Sequence, residues 1–338
     1  MLITVVLANY NHGTVINQAI DCLNAQEIKP EKIIIIDDAS TDKSLEIIKH
    51  LSINHTNIKL IQNQENVGAI QSYNIGLREV KSEFVYFAAA DDLTHPQLFS
   101  KGILTLKINP NAAFVSMQAK IQEENVATLS SRPFINPKIK NQYMNQKNVA
   151  KEFKKNDNWI LTGTAIFRTK IILAEGGFDS ALSATADGFV ARSLAFRYGC
   201  VFIPYVGVTW RINQKGESRS VILGDSAKIV KKIQEKFAKD PFVPNWYAKK
   251  FAERWYFAFC RINLAQKPLE YEFIKDSSLN QRMSQAITQL HLSDRHKSLF
   301  LLLYAFIKFR PFGVKRTVVA LISIKIRELM KKMRIYTR

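Results

Sequence analysis

FVYFAAADD, residues 84–92, carries four large apolar residues and three alanines straight into two adjacent carboxylates, Asp91 and Asp92. A short continuous apolar run of this kind fits a strand buried on both faces. Two like charges at its end repel each other, so the stretch asks for a cation or a donor-rich ligand to offset them. The alanines leave a narrow backbone that a ligand can approach closely.

The rest of the first 120 residues repeats that design. Apolar runs at 2–8, 32–37, 58–62, 83–90 and 112–121 alternate with helical spacings. Val15, Ile16, Ala19, Ile20 and Leu23 share one face, as do Leu45, Ile48 and Leu51, and then Ile70, Tyr73, Leu77 and Val80. Alternation of strand and helix predicts an α/β fold with a mainly parallel sheet flanked by helices, and such sheets bind ligands at the C-terminal ends of their strands. Those ends read ANYNHG (8–13), DDASTD (37–42) and the quoted ADD. Each has an ordinary alternative: Ser40 or Asp42 as a helix N-cap, and Thr94 with Pro96 as a cap and first-turn pair. Together they bring Asp37, Asp38, Asp91 and Asp92 with Asn9 and Asn11 to one predicted edge, more charge than caps explain. Neither GxGxxG nor GxxxxGK[ST] is present, which excludes the dinucleotide fingerprint and the P-loop. If the sheet holds a nucleotide, a divalent cation gripping its diphosphate would serve, and adjacent carboxylates are the hard oxygen ligands that Mg²⁺ or Mn²⁺ prefers.

The series VVLANYNHG, IIIIDDASTD, NVGAIQSYNIGL and FVYFAAADD resembles the N-terminal half of family 2 glycosyltransferases, inverting enzymes of GT-A fold that use nucleotide-sugar donors. The likeness is strongest over residues 1–95 and continues more loosely through TGTAIFR (162–168), GGFD (176–179) and ADGFVARSLAFRYG (186–199). It implies that Ala8, Asn9, Tyr10 and Asp38 hold the nucleotide base and ribose, with Asn66 and Gly68 running beside the base. Asn66 has a turn-forming alternative. Asn74 and Gly76 open out of the helix that follows, and Gln71 stands where many members carry a basic residue. Asp91 and Asp92 match the DXD-type element, Asp92 as direct ligand of Mn²⁺ or Mg²⁺ and Asp91 nearer the ribose or sugar. Asp187 matches the catalytic base, with a helix cap as its structural alternative, and Ala186 occupies a place that is often a second acid. Arg192 faces phosphate or solvent on this reading. Many relatives have a histidine after an aromatic-Arg pair, whereas Trp210 and Arg211 are followed here by Ile212 and Asn213, which makes Asn213 or water the further metal ligand.

Length and composition set the frame. On the family resemblance, the 338 residues are expected to divide as a GT-A domain over 1–220 and a helical C-terminal region over 221–338. Cys22, Cys200 and Cys260 show neither zinc-site nor disulfide spacing, which fits a reducing cytoplasm. LITVVLA lacks the basic lead and cleavage site of a signal peptide and reads as a first strand. The net charge of +19 is concentrated at the end, where residues 295–338 hold twelve Lys and Arg against one acid, Glu328. Its longest apolar run, Leu299–Ile307, is too short to span a bilayer. Apolar faces flanked by Lys and Arg suit an element lying on the anionic inner face of the membrane, the alternative being a helical hairpin packed on the core. A peripheral position would suit an enzyme whose acceptor is a saccharide or lipid-linked saccharide in surface glycan synthesis. A nucleic-acid-binding protein accounts for the charge but leaves the acidic edge unexplained, so no nucleic-acid partner is expected. A catalytically inactive nucleotide-sugar binding protein accounts for Ala186 and the missing histidine.

Overall fold

The computed structural model describes residues 2–123, 130–133, 136–212, 226–252 and 254. These fall into two compact units, one of residues 2–212 with 237–244 and the other of 226–236 with 245–254. In the first unit, strands β1 (Ile3–Asn9), β2 (Lys32–Asp37), β3 (Ile58–Gln62), β4 (Phe84–Ala89), β5 (Leu93–Thr94), β6 (Phe114–Glu123), β7 (Ser130–Arg132), β8 (Ile166–Arg168) and β9 (Cys200–Ile212) make a single sheet. Its order is β3-β2-β1-β4-β8-β6-β9-β5, with β7 on β6. The first four strands in that path are β3, β2, β1 and β4, all parallel, whereas β8 runs antiparallel to both β4 and β6, and β5 antiparallel to β9.

The continuous apolar runs form the strands because both of their faces are covered: every residue of β1 is buried, and Ile33 to Ile36 in β2 are fully enclosed. Helices α1 (Ile16–Asn24), α2 (Ser44–Asn54), α3 (Ala69–Arg78) and α4 (Leu98–Ile108) supply the cover. α1 buries Ile16, Ala19, Ile20 and Leu23, the face its periodicity predicts. α3 sits so close to the sheet that a Cβ on Gly76 would lie 2.4 Å from Val6 Cγ1 and 2.8 Å from Ile36 Cδ1. Gly76→Ala is therefore expected to cost about 1–3 kcal/mol through overpacking, read as a lower denaturant midpoint at unchanged slope.

The described residues of 122–123, 130–133 and 136–158 carry more structure than their sparse apolar content promises. β6 extends to Glu123, β7 pairs with it, and α5 (Gln146–Phe153) is capped by Asn145, whose side chain accepts from Asn148 N–H at 3.0 Å. Two apolar residues anchor α5, because Phe153 meets the rings of Trp159 and Phe196 at 5.5 and 5.1 Å between centroids. α6 (Thr169–Ala174) and α7 (Ala186–Tyr198) follow, and then β9, a strand of 13 residues. β9 keeps its length by pairing with β6 across two register shifts near Gln118. Thr94 belongs to β5, where its hydroxyl accepts from Gln26 at 3.3 Å, and so it does not cap α4.

α8 (Ser226–Lys239) and a helical stretch over 245–252 agree with the helical pattern predicted past residue 226. Asn213 and the basic segment 295–338 lie outside the described residues. Among the described residues no helix is long and apolar enough to cross a membrane.

Candidate active site

The registers Asn9 against Asp37 and Ala8 against Ala89 bring the C-terminal ends of β1, β2 and β4 to one edge, as the alternating sequence requires. Asp37 and Asp38 are buried there, yet protein donors satisfy them. Asp37 accepts from Asn9 Nδ2 at 2.8 Å and from the Ser40 hydroxyl at 2.7 Å. Asp38 accepts from Asn63 Nδ2 at 2.8 Å and from the backbone N–H groups of Val67 and Gly68 at 3.0 and 2.8 Å. The expectation that all four carboxylates at this edge call for a cation or ligand is thus corrected for two of them. Asp42 is a helix-start residue, accepting from Ser44 N–H at 2.8 Å and Gly13 N–H at 2.9 Å.

Three donors on Asp38 leave it about one free acceptor position, so much of its effect is to fold the 66–68 loop. In that loop Asn66 Oδ1 accepts from Gly68 N–H at 3.1 Å, which is turn chemistry, and Gly68 has φ of 86°. Tyr10 stands exposed just beyond β1, with an aromatic face free to stack, while Asn9 is buried and Ala8 nearly so. Asn74 does not open toward the edge: its amide clasps the backbone of Phe178 through both oxygen and nitrogen, at 2.9 and 2.7 Å.

Asp91 and Asp92 form the turn that leaves β4, and both are half-buried. Burial first, and then the charge of Asp91, push the Asp92 carboxyl well above the usual carboxylate range, against the opposing pull of the Arg211 backbone N–H and guanidinium. β9 brings Arg211 here by pairing with β5. Its guanidinium donates to the Asp91 carbonyl and, at 2.6 Å, to Gln18 Oε1. An oxygen pair this short of compensating charge fits a hard divalent cation. Among the described residues no group of three or more His, Cys, Asp or Glu is assembled for a metal, so the two carboxyl groups of Asp91 and Asp92 are the donors at this turn.

Asp187 lies in the first turn of α7, where a carboxylate is favoured by the helix dipole. It lines a cleft of about 50 Å³ with Tyr73, Phe87, Thr162, Gly163, Phe167 and Phe178. Burial raises its carboxyl above the ordinary value, while the Thr162 hydroxyl, the Gly188 N–H and the Arg192 charge pull the other way. Arg192 faces neither phosphate nor solvent, since it is buried and donates to Asp157 Oδ2 at 3.3 Å and to the Gly188 carbonyl at 2.9 Å. Ala186 is fully buried.

Contacts link the two acidic centres. Thr162 holds Asp187, and the next residue, Gly163, lies so close to Trp210 that a Cβ would meet the indole nitrogen at 2.8 Å. Tyr86, whose hydroxyl is raised by burial and then by the Asp92 charge, donates to the Gly163 carbonyl at 2.8 Å. Sequence reasoning assigned no role to Thr162, Gly163 or Tyr86. A hydroxyl and a glycine in TGTAIFR carry no signal until the fold sets them beside Asp187 and Trp210.

Comparison with known proteins follows the same outline. A family model described as Glycosyl transferase family 2 matches residues 4–173. An uncharacterized glycosyltransferase of Haemophilus influenzae is 37% identical over 92 residues, 27% of this chain and 36% of that protein. Uncharacterized glycosyltransferase YibD of Escherichia coli is 33% identical over 97 residues, 29% of this chain and 28% of that protein. These matches therefore span about a third of the relatives' own length. Among solved structures, S. aureus TarS 1-349 in complex with UDP aligns over 92% of this chain and 91% of its own, with a TM-score of 0.62 at 16% identity. A mannosyltransferase, PcManGT from Pyrobaculum calidifontis, in complex with GDP-Man and Mn²⁺, aligns over 91% and 86% with a TM-score of 0.54 at 18% identity.

Proposed function

Because the chain belongs to glycosyl transferase family 2, we propose that it is an inverting glycosyltransferase that moves a sugar from a nucleotide diphosphate, a UDP-sugar foremost, to a hydroxyl of a saccharide or lipid-linked saccharide. The sheet has the GT-A fold of the solved glycosyltransferases it resembles. The observation that carries the proposal is the joining of Asp187 to the Asp91–Asp92 turn through Thr162, Gly163, Tyr86, Trp210 and Arg211. A base and a charge-collecting pair on one rigid set of elements are what a single displacement needs.

Each group then has a role. Tyr10 stacks on the base, and Asn9, Asp38 and the 66–68 loop shape the nucleotide's seat beside Ala8. Asp92 would hold Mn²⁺ or Mg²⁺, with Asn213 as a further oxygen donor and Asp91 nearer the ribose or sugar, and the cation when bound would neutralise charge gathering on the departing diphosphate. Asp187 takes the proton of the acceptor hydroxyl as its oxygen bonds to the anomeric carbon. The bond from that carbon to the diphosphate oxygen breaks on the opposite face, and its electron pair leaves with the nucleotide. The TarS complex with UDP-GlcNAc and the PcManGT complex with GDP-Man support a sugar nucleotide as the donor class. The catalytic domain would end near residue 220. The basic 295–338 segment would hold the enzyme on the anionic inner face of the membrane, at about 1 kcal/mol per basic residue near the surface, within reach of acceptors for surface polysaccharide.

A thermal-shift panel of UDP-, GDP- and dTDP-sugars with Mn²⁺ tests the proposal. One base class should raise the melting temperature, since a ligand at a hundred times its Kd adds about 2.7 kcal/mol to stability. A panel in which no sugar nucleotide shifts the transition overturns it.

A further inference from the structure

Asp187 is gripped from outside its own helix, and the grip comes from a turn bonded to the sheet. The 3-10 turn Thr162–Thr164 is tied to β6 twice over. The Thr164 hydroxyl donates to Met117 O at 2.9 Å and accepts from Met117 N–H at 2.9 Å, while Ser116 Oγ accepts from Leu161 N–H at 3.0 Å. Tyr86 of β4 holds the Gly163 carbonyl from a third side. From this fixed platform Thr162 donates its hydroxyl to Asp187 Oδ2, while the other carboxylate oxygen takes the Gly188 N–H of α7 at 2.5 Å. Left with the Gly188 bond alone, the carboxylate would be held only by its own helix start. Thr162 instead fixes it against the sheet that carries the Asp91–Asp92 turn.

We propose that Thr162 is a positioning residue for the base, setting which way the Asp187 carboxylate points and how readily it accepts the acceptor's proton. The inference rests on Asp187 being the base of the proposed reaction. The groups facing Asp187 are few enough to make the effect legible. Arg192 of α7 acts on it by charge, with Asp157 paired behind that guanidinium, and the Tyr73 hydroxyl at the cleft is committed to the Ala88 carbonyl at 3.1 Å. The Thr162 hydroxyl is the first among the effects that oppose burial at this carboxylate.

The test compares Thr162→Val, which keeps the shape and loses the donor, with Thr162→Ser, which keeps the donor. The readout is kcat/KM against pH on whichever of UDP-glucose, UDP-N-acetylglucosamine and GDP-mannose the full chain hydrolyses fastest, water standing in for the acceptor. Thr162→Val should move the acidic limb to higher pH by about one unit and lower the plateau by roughly tenfold, with Thr162→Ser restoring both and thermal unfolding staying cooperative in each variant. A limb that stays in place in Thr162→Val, while Asp187→Asn loses turnover, overturns the role of Thr162 and leaves the base assignment standing. Full turnover in Asp187→Asn overturns both together.

Discussion

Asp187→Asn is expected to lower turnover by about 10²–10⁴-fold, the range that a positioned general base supplies, with sugar-nucleotide affinity changed by less than about twofold. The amide has the shape of the carboxylate and keeps one oxygen for the Thr162 hydroxyl or the Gly188 N–H, so the cleft of Tyr73, Phe87, Phe167 and Phe178 should stay closed around it. It cannot take up a proton at neutral pH. Steady-state kinetics paired with calorimetry of donor binding separates the two effects. The wild-type profile should show the same group titrating. Burial holds the Asp187 carboxyl above its ordinary range, so kcat/KM should fall as pH drops through that raised value. Turnover retained in Asp187→Asn would remove this residue as the base and put proton acceptance on another group, whereas absence of turnover in the wild type would make an inactive sugar-nucleotide binder the stronger reading.

The parallel half of the sheet is legible in the sequence because its signals are local. Ile33 to Ile36 is an unbroken buried run, and α1 repeats at Ile16, Ala19, Ile20 and Leu23, so each element declares its type and buried face within ten residues. The second half is harder. α5 rests on buried Val149 and on Phe153, whose ring finds Trp159 and Phe196 only after folding, and too few apolar positions remain to set a period.

The site divides along the same line. Adjacent carboxylates announce an electrostatic problem, but the sequence does not say who solves it. For Asp37 the answer is Asn9, 28 residues earlier, together with Ser40, and for Asp38 it is Asn63 and two backbone N–H groups of the 66–68 loop. Asp91 and Asp92 look the same on paper and differ in that Arg211 spends its guanidinium on a carbonyl and on Gln18. Asp187 was reached through a family likeness, whereas the Thr162 hydroxyl that holds it lies 25 residues away. Nothing about a threonine marks it in advance.

Asp92→Ala should then abolish the metal-dependent part of sugar-nucleotide binding. In the folded chain the Asp92 carboxyl is pushed upward by burial and by Asp91, so in the absence of a cation the pair is held at a cost that Mn²⁺ or Mg²⁺ would relieve. Removing one partner takes away both the ligand and the repulsion. Calorimetry with Mn²⁺ should show affinity for the nucleotide diphosphate lower by roughly a hundredfold, by analogy with the upper range for a damaged metal shell. With a chelator present the order should level or invert, because a diphosphate approaching the intact pair meets two unneutralised carboxylates and the variant presents one. The wild-type cation affinity should also fall as pH drops through the raised Asp92 value, since proton and metal compete for the same oxygens. If Asp92→Ala binds the nucleotide as well as wild type with Mn²⁺ and shows the same loss on chelation, the cation is held elsewhere. The turn that ends β4 would then be an acidic feature without a part in the chemistry.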